Sequence, residues 1–215
     1  QFTSVDVQNN VLLYELVISD NLITSIELNG LNELAFLFCK NNQLNTLNIN
    51  QLDNLIWLDC SDNFIESLNL DALGNFRYLE IRNNNLSEID GSLSGIEYLS
   101  CSGNPNLTNI NVQNNVASIA DPDLLYFPLQ FENLPNLELI CIDPADFEAL
   151  SYSGYDPINA VVAQGPNCTL SVDEISFSNT SIYPNPVKNY FEIKTSENIT
   201  MQVIYDVSGK KLVAS

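Results

Sequence analysis

The chain of 215 residues contains no histidine, and only seven lysine and arginine residues oppose 27 aspartate and glutamate residues, which gives a net charge of −20. Without histidine, Ser-His-Asp and Cys-His catalysis are excluded, and the commonest transition-metal ligand is missing. The shortage of cations argues against nucleic-acid binding, which depends on Lys and Arg at the phosphates. No apolar run approaches the ~18 residues of a membrane helix, so no transmembrane segment is predicted. A hydrophobic content of 45% is nevertheless enough for a packed core.

A repeat of 20 or 21 residues organises the first two thirds of the chain. Its first position is always apolar and is occupied by Leu13, Leu34, Leu55, Phe76, Ile96, Val116 and Leu137. Three residues later the chain has Leu16, Leu37, Leu58, Leu79, Leu99, Ile119 and Ile140. Five residues after the first position it has Ile18, Cys39, Cys60, Ile81 and Cys101. One coil of this length cannot bury its own apolar face, so the period predicts a solenoid of stacked coils.

Residues 34–44 (LAFLFCKNNQL) and 76–86 (FRYLEIRNNNL) resemble the leucine-rich repeat pattern L-x-x-L-x-L/C-x-x-N-x-L, in its short, internalin-like form. The resemblance covers about residues 2–143 and implies an α/β solenoid that is mostly β. It would have a curved parallel sheet on its concave face and an irregular or 3-10 convex side. We assign this domain to residues 1–143, and we expect it to start in the middle of a repeat because Phe2, Val5 and Val7 match residues one period later. Residues 121–133 depart from the pattern, so we expect an irregular loop there.

An asparagine stands eight residues after the start of five repeats, at Asn21, Asn42, Asn63, Asn84 and Asn104. At the point where the chain leaves each strand, the amide can bond to backbone groups that the bend leaves unpaired. We therefore predict an asparagine ladder. Strand alternation sends positions three and five inward, so Cys39, Cys60 and Cys101 are predicted to be buried free thiols. Three thiols in a straight column cannot surround a tetrahedral zinc ion.

Cys141 differs from the other cysteines, because it lies four residues after its repeat start, at an outward position. Residues 144–168 mix a short helical stretch with turns and read as a C-terminal cap. Cys168 ends this cap, and we hypothesise a Cys141–Cys168 disulfide that fixes it, as is typical of an exported protein.

The pattern changes after a Ser/Thr-rich linker at residues 169–180 to plain alternation, which is typical of antiparallel strands. The segments SIYPNPV and YDVSGKK resemble the C-terminal sorting domain of the type IX secretion system of Bacteroidota. The matching motif residues are Tyr183, Pro184, Asn185, Pro186, Asp206, Gly209 and Lys210. The resemblance implies a small antiparallel β-sandwich over residues 181–215, which we expect to be partial because the family's domain usually runs further. It also implies the secretion machinery as a partner and location outside the cell or on the outer-membrane surface of a Gram-negative bacterium.

The outward positions of the predicted sheet carry a stripe of aromatic residues. Two residues after successive repeat starts stand Glu15, Phe36, Trp57, Tyr78, Tyr98, Ser118 and Leu139, with Phe38 beside the stripe. These rings could simply stack across strands to stabilise the sheet. Contiguous exposed apolar surface also marks interaction sites, so we predict a face that binds a protein or a glycan.

Charged residues adjoin the stripe, and we expect Lys40 and Arg82 to neutralise Asp59 and Glu80. The two carboxylates share a column on adjacent strands, at a spacing that would suit a retaining glycosidase. An open face, however, does not exclude water or separate the two pKa values, so we predict no enzyme. No calcium-loop motif is present, and we predict no cofactor or metal site.

The leading interpretation is therefore a non-enzymatic, secreted or cell-surface recognition protein. Its ligand-binding residues would be Phe36, Phe38, Trp57, Asp59, Tyr78, Glu80, Arg82 and Tyr98. Two alternatives stay open: a passive spacer or recognition arm of a larger surface protein whose activity lies upstream, and a glycan-cleaving enzyme that uses Asp59 and Glu80.

Overall fold

The computed structural model describes residues 1–71, 73–115, 129–143, 160–164, 180–183, 192–195, 203–205 and 211–214. The chain forms two compact units, residues 1–168 and 169–215. All regular elements of the described residues are strands, with these bounds: β1 Glu15–Val17, β2 Phe36–Phe38, β3 Trp57–Asp59, β4 Tyr78–Glu80, β5 Glu88–Asp90, β6 Tyr98–Ser100, β7 Asn109–Asn111, β8 Leu129–Gln130, β9 Leu139–Ile142, β10 Val161–Gln164, β11 Thr180–Tyr183, β12 Glu192–Thr195, β13 Val203–Tyr205 and β14 Lys211–Ala214. The part of the chain that is described contains no helix long and apolar enough to cross a membrane.

The first sheet is parallel and contains one strand from each of six coils, in the order β1-β2-β3-β4-β6-β8. Its register aligns equivalent repeat positions, so that Leu37 pairs with Leu58 and Leu58 pairs with Leu79. The central leucine of each strand is buried, whereas its neighbours in β2, β3 and β4 are partly exposed. This alternation follows from the period-2 geometry of a strand and confirms the predicted parallel solenoid sheet.

A second parallel sheet, in the order β10-β9-β7-β5, forms from the other half of the later coils. Ile89, Ile110 and Ile140 pair in register along it, and all three are buried. They belong to the same hydrophobic cluster as the leucines of the first sheet, so the core lies between the two sheets. The sequence predicted an irregular or 3-10 convex side, and the second sheet replaces that irregular structure in the later coils.

The predicted repeat register is wrong after the fifth coil. Leu99 pairs with Leu129, 30 residues later, whereas Leu79 pairs with Leu99, 20 residues later. The fifth coil, which starts at Ile96, therefore carries about ten additional residues, which is about half a repeat. As a result Leu137 precedes a strand of the second sheet, and Leu139 does not lie in the aromatic column. Residues 116–128, including Val116, Ser118, Ile119 and most of the predicted irregular loop, lie outside the described residues.

The asparagines bond to backbone groups both within and between coils. Asn63 Oδ1 accepts a hydrogen bond from the Leu44 N–H at 3.0 Å, and Asn63 Nδ2 donates to the carbonyls of Cys39, Cys60 and Ser61, each at 3.1 Å. Asn42 Oδ1 likewise accepts from the Ile23 N–H at 3.0 Å. The same arrangement places Asn84 and Asn104 against the coils before them and Asn21 against the Phe2 N–H. From Asn42 onwards each amide therefore supplies partners to buried backbone groups that belong to two successive coils, whereas the partner of Asn21 Oδ1 belongs to an exposed residue.

In the first sheet, the residue that follows each strand by three positions has a positive φ angle. The residues Asp20, Asn41, Asp62, Asn83, Gly103 and Asn133 have φ values between 52° and 75°. Asn, Asp and Gly are the residue types that best tolerate this conformation. The sequence reading missed this column, although an Asp, Asn or Gly directly precedes the ladder asparagine in five coils.

Cys39, Cys60 and Cys101 are free, fully buried thiols of the core. Burial, and secondarily the charge of Asp59, raises the pKa of Cys39 to about 12. Cys141 lies in β9 of the second sheet, and not at the outward position of the first sheet that the shifted register implied. It is 2% exposed. Of the predicted cap, residues 144–159 and 165–168 lie outside the described residues. They include Cys168, so the disulfide stays a prediction.

The described residues of the C-terminal unit form two antiparallel strand pairs. β11 pairs with β12, so that Tyr183 lies opposite Glu192, and β13 pairs with β14. Both pairs have the antiparallel arrangement that a small β-sandwich requires. Tyr183 ends β11, whereas the other predicted motif residues lie outside the described residues: Pro184, Asn185, Pro186, Asp206, Gly209 and Lys210. Of the linker predicted at 169–180, residues 169–179 also lie outside, and Thr180 is the first residue of β11.

Candidate binding face

Six aromatic rings form one continuous chain of contacts along the first sheet. The consecutive centroid distances are 5.4 Å for Tyr14–Phe36, 6.5 Å for Phe36–Phe38, 5.7 Å for Phe38–Trp57, 5.2 Å for Trp57–Tyr78 and 6.4 Å for Tyr78–Tyr98. We call these six residues the aromatic face. All five distances lie in the range of attractive aromatic pairs.

The sheet register is what brings these rings together. Phe36 pairs with Trp57, Trp57 with Tyr78, and Tyr78 with Tyr98, each on the adjacent strand. Strands lie about 4.8 Å apart, so residues that are 20 or 21 positions apart in sequence become neighbours. The sequence reading missed Tyr14, which lies one position before the aromatic column in the first coil.

The rings differ in their exposure to solvent. Phe36, Phe38, Trp57 and Tyr78 are partly exposed, and Tyr14 is 58% exposed. Tyr98 was expected to be exposed as well, but it is only 7% exposed. Burial, and then the nearby charge of Glu80, raises the pKa of its hydroxyl. Tyr98 therefore supports the ring of Tyr78 and contributes little surface of its own.

The rings also differ in orientation. Phe36 and Phe38 are stacked with their planes 17° apart, and Phe38 meets Trp57 edge to face at 69°. The Nε1 atom of Trp57 is buried and has no acceptor of good hydrogen-bond geometry, although it lies close enough to the Glu80 carboxylate to lower the pKa of that group. Stacking and partial exposure thus coexist on this face, so its rings stabilise one another and still offer apolar surface.

The carboxylates of Asp59 and Glu80 lie on paired positions of β3 and β4. Arg82 Nη2 contacts Glu80 Oε2 at 2.7 Å. Lys40, which we expected to neutralise Asp59 or Glu80, instead contacts Asp62 Oδ2 at 3.5 Å. Asp62 follows its strand at the left-handed turn, and the turn brings its carboxylate within reach of Lys40.

Glu80 has a raised pKa, chiefly because of its burial and then because of the charge of Asp59. The cations of Arg82 and Lys40 and the indole of Trp57 lower it again. Asp59 Oδ1 accepts a hydrogen bond from the Ser61 N–H at 3.0 Å. Among the described residues, no lysine or arginine forms an ion pair with Asp59.

Asp59 and Glu80 are both partly exposed on this face. A cavity of about 290 Å³ lies elsewhere, at the free edge of β5, and is lined by residues 67–71 together with Glu88 and Asp90. No cluster of three Cys, Asp or Glu side chains suited to a metal ion occurs in the described part of the chain.

Residues 181–215 match the family described as the secretion system C-terminal sorting domain. Among solved structures, the chain is similar to the functional domain of InlJ from Listeria monocytogenes, with 27% sequence identity and a TM-score of 0.50. The described coils therefore have an internalin-like leucine-rich repeat fold, and residues 181–215 match a secretion sorting tail. Comparison with the curated proteins gave no match.

The likeness between the leucine-rich repeat solenoid and InlJ covers 75% of this chain but only 38% of the InlJ chain. The InlJ domain is described as including a cysteine ladder. In the present chain Cys39 and Cys60 occupy adjacent coils of the inward column, Ile81 follows, and Cys101 comes next. The sorting tail implies secretion to the cell surface or the extracellular space.

Proposed function

We propose that this protein is a non-enzymatic recognition protein that binds a protein or glycan through the aromatic face. The type IX secretion system of a Bacteroidota bacterium would deliver it to the outer-membrane surface or the medium. The sorting tail supports the secretion step, and the internalin-like solenoid supports surface recognition. In a solenoid, the sheet that aligns equivalent positions of many coils provides a long and regular binding surface.

The observation that carries this proposal is the unbroken chain of rings on one side of the first sheet. Five of the six rings remain at least partly exposed, although each already has an aromatic neighbour. If the rings only stabilised the sheet by stacking on one another, they would not need to be exposed to solvent. Exposed, contiguous apolar surface is typical of interaction sites, and Trp and Tyr are the residues that most often dominate binding energy.

Trp57 makes the proposal convenient to test, because it is the only tryptophan of the chain. Its fluorescence reports on the aromatic face alone. The complete chain would be screened against a phage-displayed random-peptide library and a panel of purified glycans. Selected ligands would then be titrated while the emission of Trp57 is recorded.

The test variant is the double substitution Trp57→Ala and Tyr78→Ala, with binding measured by calorimetry. We expect it to weaken binding at least about 100-fold, since each central aromatic anchor typically contributes 2 kcal/mol or more. The matched control is Phe64→Ala, which removes a ring that is 51% exposed and is not among the six face residues. Equal binding by the double variant and the control would refute the proposed face and favour the passive-spacer alternative.

The glycan-cleavage alternative has its own readout. If Asp59 and Glu80 formed a catalytic pair, glycans that bind would be hydrolysed, and Asp59→Asn would abolish the cleavage. We expect binding without cleavage, because Glu80 already has Arg82 as a partner at 2.7 Å.

A further inference from the structure

We propose that Asp59 receives the cationic head of an arginine or lysine side chain from a polypeptide partner, while the stem of that side chain packs on Phe38 and Trp57. This inference depends on the proposed function, since it names the partner of the same face. It makes the ligand a peptide segment that combines one basic residue with apolar residues.

The first argument is the balance of charge on the face. Three basic side chains form ion pairs in the described residues, each with a different carboxylate. Arg82 contacts Glu80 at 2.7 Å, Lys40 contacts Asp62 at 3.5 Å, and Arg77 contacts Glu97 at 3.0 Å. Most carboxylates in the described part of this acidic chain have no such partner, and among them Asp59 is distinguished by its position in β3, near the centre of the first sheet. Its carboxylate has a backbone N–H as partner, from Ser61, but no cation within the described residues.

Asp59 also has the position that such an anchor requires. It pairs with Phe38 on one side and with Glu80 on the other, and its side chain is partly exposed. Central, partly desolvated positions contribute more to binding than exposed positions at a rim. A cation placed here would meet an acceptor that Arg82 and Lys40 leave unoccupied.

The aromatic surroundings select a side chain with an apolar stem. Phe38 and Trp57 lie edge to face at 5.7 Å, directly beside Asp59 in the register. Arginine and lysine place methylene groups on apolar surfaces while the charged head reaches a polar partner. A guanidinium or ammonium group over an aromatic ring gains additional attraction.

The ring geometry favours a polypeptide over a glycan. A sugar stacks on a flat aromatic surface, but Phe38 and Trp57 beside Asp59 are inclined to each other by 69° and do not form a flat surface together. The buried Nε1 of Trp57 offers no accessible donor to a sugar hydroxyl. A neutral sugar would also leave the charge of Asp59 without a counter-ion.

The test uses the complete chain and the same random-peptide library. We expect enriched peptides to share an arginine or lysine next to apolar residues. One enriched peptide would be synthesised with its basic residue intact and, in a second version, with the residue replaced by citrulline or acetyl-lysine. We expect the neutral peptide to bind about tenfold more weakly, and Asp59→Asn to weaken the basic peptide by a similar factor.

The combination of both changes provides the specific readout. If the two groups interact, the neutral peptide will bind wild type and Asp59→Asn equally well, which also shows that the variant is folded. Asp53→Asn is the matched control, because it removes an exposed carboxylate that lies in the loop between β2 and β3. This control should leave the affinity for the basic peptide unchanged.

The outcomes separate this inference from the proposed function. Peptides that lose binding in the Trp57→Ala and Tyr78→Ala variant but bind Asp59→Asn as well as wild type would overturn the inference and leave the proposed function intact. Binding of neutral glycans alone would do the same. Ligands that are insensitive to the double aromatic substitution, or a complete absence of ligands, would overturn both.

Discussion

The contribution of the asparagine ladder to stability can be tested by replacing Asn63 with alanine. Asn63 is 5% exposed and makes four hydrogen bonds to backbone groups of two coils. Its three carbonyl partners each retain another donor: Asn42 Nδ2 on Cys39, Asn84 Nδ2 on Cys60 and the Asn41 N–H on Ser61. The N–H of Leu44, which is fully buried, loses its acceptor.

The expected loss of stability follows from this difference between the partners. An orphaned buried N–H costs about 1–3 kcal/mol, and the loss of three shared hydrogen bonds adds a smaller amount. We therefore expect Asn63→Ala to lower the free energy of unfolding by about 3 kcal/mol. In a urea titration followed by Trp57 fluorescence, this corresponds to a midpoint that is lower by about 1 M or more.

Asn21→Ala is the matched control at the end of the ladder. Asn21 is only partly buried, and its Oδ1 accepts a hydrogen bond from the N–H of Phe2. Phe2 is exposed, so water can replace the Asn21 side chain as the acceptor. We expect a loss below about 1 kcal/mol for this variant. If Asn63→Ala lost no more stability than Asn21→Ala, the ladder would not contribute through satisfaction of buried backbone groups, and the reasoning would be wrong.

Three further predictions concern other parts of the molecule. Gly103→Ala should lower stability by about 1–3 kcal/mol in the same urea titration, because φ is +75° and a Cβ atom would collide with Asn83 Oδ1; an unchanged midpoint would contradict the strain. Glu80 has a raised pKa in the folded state, so its ionised carboxylate lowers the free energy of unfolding. This loss of stability is absent in acid and develops as the pH rises above the ordinary pKa of 4.5. Glu80→Gln should therefore gain stability relative to wild type as the pH increases over that range, and a difference that does not change with pH would exclude this assignment. For the hypothesised disulfide, intact mass after alkylation without reductant should show three modified thiols in unfolded protein, with Cys141 and Cys168 unmodified; five modified thiols would rule out the bond.

Several features of the fold followed from local patterns in the sequence. The recurrence of an apolar residue with an asparagine eight positions later indicated stacked coils, because one short coil cannot bury its own face. The alternation within each strand predicted that Cys39 and Cys60 lie inward and that Trp57 and Tyr78 lie outward, where the structure places them. The sorting tail was identified from a motif whose residues are adjacent along the chain.

The register beyond the fifth coil did not follow from the sequence. Both halves of a coil carry apolar residues at similar spacing, so an insertion of about half a repeat leaves the apparent period unchanged and exchanges one side of the solenoid for the other. The pairing of Leu99 with Leu129 reveals this exchange. The same shift explains why Leu139 belongs to the second sheet.

The sequence alone therefore determined the coil, its inward and outward positions and its asparagine column, because these follow from the spacing of residue types along the chain. Tertiary structure decided the phase of the sixth coil, the second sheet, the burial of Tyr98 and the pairing of Lys40 with Asp62. Each of these depends on distances between groups on different coils. Such distances are set by how the coils stack, and the spacing of residues along the chain does not contain them.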